Sequence, residues 1–205
     1  MSVESLLIAT RSGGKLRELR EFFRGTGMSV IDLEEAGIAP SEAEEDLESA
    51  DTFEENALAK ARYFARLVGR VVVADDSGLE VEALGGRPGV RSKRWSGRVD
   101  LAGQALDDAN NQRLLQALEG SADRRARYVC VAALVDGSRE ETFCGTTSGV
   151  ILGSPRGSGG FGYDPFFLSD ELGVTFAEAS VVEKERVSHR GRAFRALAEW
   201  LQTRR

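Results

Sequence analysis

A chain of 205 residues, 41% hydrophobic and 29% charged, has the composition of an ordinary soluble globular protein with one substantial core and no composition shift that would mark a second domain. Apolar runs such as Val71 to Ala74 are too short to span a bilayer, and Leu6 to Ala9 before Arg11 lacks the length and basic flank of a secretory signal, so a cytoplasmic protein without a membrane partner is expected. A net charge of −6 argues against a nucleic acid polymer as partner, because such polymers are gathered by basic surfaces.

In chain order, Leu6 to Thr10 reads as a buried strand, and from Gly14 the spacing becomes helical, with Leu16, Leu19 and Phe23 three and four residues apart. Gly25 and Gly27 close that helix, Val30-Ile31 is a short strand, and Glu42 to Asp51 is expected to be an acidic loop. Thr52-Phe53-Glu54-Glu55 has the form of a capping box, Phe53, Ala57, Phe64 and Val68 share the helix face that follows, and Gly69 stops it. Val71 to Ala74 is a buried strand expected to end at Asp75-Asp76-Ser77-Gly78. Gly85-Gly86-Arg87-Pro88-Gly89 is a tight loop, and a helix is expected from about Leu101 to Leu118. Asp136-Gly137, flanked by strands over 126–135 and 140–150, signals a hairpin. Gly157 to Pro165 is too rich in glycine for helix or strand, and the chain ends in a helix from Ser188 that turns Phe194, Leu197, Ala198 and Leu201 inward.

Cys130 and Cys144 fall within the two hairpin strands and are read as reduced thiols. A single histidine, His189, leaves too few ligands for a His-rich zinc site and speaks against a Cys-His or Ser-His relay. Any metal is therefore expected on carboxylates, whose hard oxygens suit Mg²⁺ or Mn²⁺ bridged to substrate phosphates.

Thr10-Arg11-Ser12-Gly13-Gly14-Lys15 sets small residues and a lysine at a strand-to-helix turn, where free N–H groups and the helix dipole attract phosphate. It lacks the Walker A spacing, so a plain glycine turn with a surface lysine is the alternative. Asp75 and Asp76 stand where open α/β sheets place their ligands; strand alternation sends one to the site, taken as Asp76, and leaves the other to support the backbone. An Asx-type turn is the bland alternative there. Glu55 is explained as the capping acid, which leaves Lys60 as the functional side chain of its helix, and an acid of the 42–51 stretch such as Glu48, near Asp76, would complete a magnesium site. Gly157 to Gly162 matches G-x-G-x-x-G, but Asp164-Pro165 breaks the helix that a dinucleotide site requires. The loop is read instead as displaying Phe161 and Tyr163 beside Asp164, aromatic faces on which a base can stack. Ser188-His189-Arg190-Gly191 opens the last helix, with Ser188 as its cap and His189 and Arg190 as donors at its positive end.

These segments in this order, together with Ala74 to Leu79 and Gly85 to Gly89, resemble the inosine triphosphate pyrophosphatase family over nearly the whole chain. The resemblance implies a single domain over residues 1–205: an α/β protein, two-lobed around a long mixed β-sheet, with the nucleotide in the cleft between lobes and a homodimer as the usual state. It implies hydrolysis of ITP, dITP and XTP to monophosphate and pyrophosphate by attack of water on the α-phosphorus, with Mg²⁺ as cofactor and Mn²⁺ as a substitute. On the matching positions, Asp76 is the general base and a metal ligand, Glu48 its metal partner, and Lys15 and Lys60 hold the triphosphate. Thr10, Arg11, Ser12, Gly13 and Gly14 belong to the phosphate turn, Ser77, Lys184, Phe161, Gly162, Tyr163 and Asp164 contact substrate with Phe161 near the purine, and His189 and Arg190 read the 6-keto oxygen. The family's turn commonly reads T-G-N-x-x-K, whereas Arg11 and Ser12 occupy the Gly and Asn positions here. Arg11 could add a phosphate contact or point to solvent, and Ser12 keeps a hydrogen-bonding group of shorter reach. Two rivals, a pyrophosphatase for modified pyrimidines and a nucleotide sensor without catalysis, are opposed by the Ser-His-Arg segment and by the intact Asp76, Lys15 and Lys60.

Overall fold

The computed structural model describes residues 5–203. Its elements are β1 (Ser5–Ile8), α1 (Gly13–Arg24), β2 (Ser29–Asp32), α2 (Phe53–Val68), β3 (Val72–Val81), α3 (Gly103–Ala117), β4 (Arg125–Asp136), β5 (Arg139–Ile151), β6 (Phe167–Ser169), α4 (Val181–Val187) and α5 (His189–Gln202). Among the described residues the six strands form one mixed sheet in the order β2-β1-β3-β4-β5-β6, with β1 parallel to both β2 and β3 and β6 antiparallel to β5. This is the α/β class with a mixed sheet that the family resemblance implies. No helix among the described residues is long and apolar enough to cross a membrane.

Local chemistry accounts for most boundaries. Ser12 caps α1 by accepting a hydrogen bond from the Lys15 N–H, and Thr52 caps α2 by accepting from the Glu55 N–H. The other arm of the expected box is altered, because the Glu55 carboxylate accepts from the Thr52 hydroxyl at 2.7 Å. Gly69 ends α2 in the left-handed region at φ 63°, where a β-carbon would be strained. The hairpin forms at Asp136-Gly137 as its sequence signals, and Cys130 and Cys144 lie in its two strands as reduced thiols.

Two expectations are corrected and one helix is added. Residues Glu42–Glu48 are a 3₁₀ helix instead of a loop, started by a reciprocal box between Ser41 and Glu44. Strand β3 does not end at Asp75 but continues to Val81, because both aspartate side chains have side-chain donors and have no need to fold back on their own amides. Helix α4 was hidden in a segment without apolar period, although Ser180 and Glu183 form a capping box there; Ser188 ends that helix in an extended conformation.

The chain forms two compact units whose boundaries fall inside β3, β4 and β5 and after the first residue of α5. The first comprises described residues 5–76, 130–145 and 190–203, and its core joins Leu6, Ile8, Leu19, Phe23, Val73, Leu134, Phe194 and Leu197. Full burial of a side chain such as Phe194 contributes about 1.5–3 kcal/mol. The second comprises residues 77–129 and 146–189, around Leu79, Leu114, Tyr128, Ile151, Phe167 and Phe176.

Candidate active site

The first unit carries a buried cluster of charge on β3, α1, α2 and α5. Side chains alternate along β3, so Asp75 and Asp76 leave the strand on opposite faces. Asp75 is fully buried, and its Oδ2 lies 3.0 Å from Lys15 Nζ, 3.3 Å from Arg190 Nε and 3.7 Å from Cys130 Sγ. Its task is thus to collect side-chain cations, where the sequence suggests support of the backbone. Lys15 also donates to the Asp75 carbonyl oxygen at 3.3 Å. Arg190, equally buried, is held on its other side by Glu18 at the middle of α1.

Asp76 Oδ2 accepts from Asn56 Nδ2 at 3.0 Å, and the same amide holds Ala50 through Oδ1 at 2.9 Å. Lys60 lies one turn beyond Asn56 on the buried face of α2 and pairs with Glu48. Burial raises the Asp76 pKa, a shift that Lys15 and Lys60 oppose and Glu48 reinforces. For Lys60, burial works against its charge, but Glu48, Asp75 and Asp76 outweigh it and keep the ammonium ionised. Lys15, Glu48, Lys60 and Asp76 all belong to the first unit.

Asp75 has the opposite balance to Asp76. Burial works to raise its pKa, yet Lys15, Arg190 and Lys60 outweigh burial and hold it far below the usual carboxylate range. A carboxylate with a depressed folded pKa stabilises the fold above its unfolded pKa of about 3.9 and loses that contribution as pH falls toward the folded value. The unfolding free energy should therefore drop below about pH 4, and Asp75→Asn should flatten that drop in denaturant titrations. Parallel pH profiles for the two proteins would contradict the assignment.

The phosphate turn has a more structural character than its resemblance implies. Thr10 Oγ1 accepts from the Ser12 N–H at 3.1 Å, Ser12 caps α1, and Gly13 and Gly14 form its first turn. Arg11 is exposed and paired within the chain. It forms a bidentate pair with Glu44 at 3.0 and 2.7 Å and donates to the Ile38 carbonyl, because a planar guanidinium matches a carboxylate edge better than it matches water.

The second unit carries the glycine loop and its supports. Asp164 Oδ2 accepts from the Phe161 N–H at 2.8 Å and from Lys184 Nζ at 2.6 Å, and the Lys184 ammonium lies 5.1 Å from the centre of the Phe161 ring. The Tyr163 hydroxyl donates to the Ser92 carbonyl at 2.7 Å. His189 is buried and stacked on Tyr128 with centroids 4.6 Å apart and planes 7° from parallel. Ser77 is half-buried on β3. Gly160 is required twice over: its φ is +72°, and a β-carbon would lie 2.1 Å from Asp164 Oδ2. Gly160→Ala should therefore cost the left-handed penalty of about 1–2 kcal/mol and also expel Asp164 from the loop. A clearly lowered Tm checks this, and a variant as stable as the parent would contradict it.

Residues 6–200 match the model of the Ham1 family. This chain belongs to the Ham1 family. It is 46% identical over 97% of its length to the dITP/XTP pyrophosphatase of Syntrophobacter fumaroxidans, covering 85% of that protein. With the dITP/XTP pyrophosphatase of Geobacter sulfurreducens it shares 47% identity, covering 96% of each chain. The Ham1 protein of Staphylococcus aureus superposes with a TM-score of 0.81 at 36% identity, covering 98% of this chain and 100% of that one.

In this Ham1 chain, Asp76 and Glu48 are the pair that could hold a metal. Among the described residues no cluster of three or more His, Cys, Asp or Glu side chains forms. A two-carboxylate site still fits magnesium, which keeps most of its coordination for water and substrate phosphate, and a cation there would offset the burial that, with a smaller contribution from Glu48, raises the Asp76 pKa. Glu18, Asn56, Asp107 and Asn111 escaped the sequence reading. Asn56 had a local signal, a polar residue inside the apolar stripe Phe53, Ala57, Ala61, Phe64; the other three have partners far away in the chain.

Proposed function

We propose that this chain is a nucleoside triphosphate pyrophosphatase that hydrolyses ITP, dITP and XTP to the nucleoside monophosphate and pyrophosphate, as a cytoplasmic homodimer. The observation that carries the reading is the set of Lys15, Glu48, Lys60 and Asp76 in the first unit: Lys60 and Asp76 are buried, Lys60 pairs with Glu48, and Lys15 pairs with Asp75, the strand neighbour of Asp76. The curated relatives named dITP/XTP pyrophosphatase support it.

Asp76 and Glu48 would hold Mg²⁺, or Mn²⁺ in its place, and the ion supplies charge neutralisation for the phosphates and the leaving pyrophosphate. Asp76, ionised and fixed by Asn56, orients a water for attack on the α-phosphorus and takes its proton. Lys15 and Lys60 exchange Asp75 and Glu48 for phosphate oxygens and stabilise the charge that grows on the leaving group. The positions of Gly13 and Gly14 at the start of α1 add N–H donors for the tail. No covalent nucleophile is required. For the base, Phe161 offers a stacking face, and Gly162, Tyr163, Asp164, Lys184 and Ser77 are further substrate contacts that the family resemblance suggests. His189 and Arg190 read O6, which accepts hydrogen bonds in hypoxanthine and xanthine, whereas the adenine amino group offers hydrogens there.

A panel of ITP, dITP, XTP, GTP and ATP, with products resolved, tests the proposal. The expected result is pyrophosphate release with the first three strongly preferred. Release of inorganic phosphate, or equal rates with ATP, would overturn it.

A further inference from the structure

The glycine loop is held from outside by one face of α3, and nothing in the loop's own motif discloses this. Gly162 is the hinge of the loop at φ +64°. Its N–H donates to Asp107 Oδ2 at 2.8 Å, and its carbonyl accepts from Asn111 Nδ2 at 2.9 Å. Asp107 and Asn111 stand one helical turn apart and thus on one face, so both polar groups of the residue after Phe161 are gripped by a single rigid element. The second Asn111 N–H goes to the Asp107 carbonyl at 2.9 Å. That arrangement commits both amide hydrogens and leaves Asn111 Oδ1 buried with no hydrogen-bond partner. Such an orphaned acceptor is costly and calls for an explanation. An aliphatic residue would pack there without the penalty, so the amide is kept for its grip on Gly162 and on its own helix.

We propose that Asp107 and Asn111 are positioning residues for base recognition, which fix the Phe161 ring in the attitude that stacks on the purine. The inference rests on the proposed function, in which Phe161 meets the base. Asp164, itself paired with Lys184 of α4, secures the Phe161 N–H from within the loop, and α3 secures the next peptide, so the ring is anchored on both sides of its Cα. Stacking is common to every purine, so loss of the α3 anchor should weaken all purine nucleotides together and leave the triphosphate grip unaffected.

The test compares Asp107→Ala, Asp107→Asn and Asn111→Ala with the parent. Amide hydrogen exchange without ligand comes first, and the Gly162 N–H should exchange at least tenfold faster in Asp107→Ala. With ITP the KM should rise about tenfold while kcat falls by no more than two- to threefold, whereas the inhibition constant of inorganic tripolyphosphate, which has no base, stays within twofold. Asp107→Asn, which keeps a side-chain acceptor, should recover part of the loss. Equal shifts for ITP and tripolyphosphate would reduce Asp107 to a general structural role and overturn the proposal. An unchanged KM with accelerated Gly162 exchange would overturn it too. Failure of the parent to hydrolyse ITP would instead remove the proposed function, while the exchange result would still report the anchor.

Discussion

Asp76→Asn should keep the fold and lose about 10²- to 10⁴-fold in kcat with ITP and Mg²⁺, the usual contribution of a positioned general base. The substitution is nearly isosteric and removes a carboxylate whose ionisation burial already opposes, so the folded state should not suffer. The Asn56 amide can still donate to the new carbonyl oxygen and hold the side chain in place. What is lost is the capacity to accept a proton from water, and one of the two negative charges on which the cation depends. Steady-state kinetics together with a thermal melt check both halves. Near-normal turnover would remove Asp76 as the base, and a collapsed melt would turn its role into a structural one.

Arg190→Ala should have a different signature, with stability and selectivity both affected. The guanidinium is enclosed by Glu18 and Asp75, and its removal leaves two carboxylates in a buried setting with one cation fewer. Breaking a buried pair in this way costs about 3–5 kcal/mol. For a chain of this size that corresponds to a fall in Tm on the order of 10 °C. If Arg190 also reads O6, the ratio of kcat/KM for ITP over ATP should narrow by roughly tenfold, the worth of about one good directional contact. Arg190→Lys separates the two effects, because an ammonium restores the charge between the carboxylates but not the planar fork. Recovery of Tm without recovery of the ratio is the expected outcome. An unchanged ratio in both variants would confine Arg190 to the buried network.

The parts of the fold that could be read from sequence are those fixed by short-range chemistry. Thr52 and Gly69 bracket α2, Asp136-Gly137 turns the hairpin, and the glycines of 157–162 forbid regular structure, each through interactions within a few residues. The strand that passes through Asp75-Asp76-Ser77-Gly78 could not be read, since its continuation depends on Lys15 and Asn56, 60 and 20 residues away from their aspartate partners. Helix α4 shows the limit of periodicity: Val181 and Val182 are exposed, so apolar spacing gives no signal, and only the capping pair Ser180 and Glu183 marks its start. Within the candidate site, residue types pointed to Lys15, Lys60, Asp76 and Glu48. Partners chosen by the tertiary fold, Glu18 for Arg190 and Asp107 and Asn111 for Gly162, leave no mark on local sequence. Arg11 illustrates the converse. A basic residue in a phosphate-like turn invites a ligand role, and a carboxylate 33 residues on engages its Nε and one Nη.

The account stands or falls on where water attacks. Hydrolysis of dITP in ¹⁸O-enriched water, followed by mass analysis of both products, reads that atom directly. Attack at the α-phosphorus, oriented by Asp76 with pyrophosphate leaving between Lys15 and Lys60, puts the label in the monophosphate and leaves the pyrophosphate unlabelled. Label in the pyrophosphate, or in inorganic phosphate released beside a diphosphate, would contradict it.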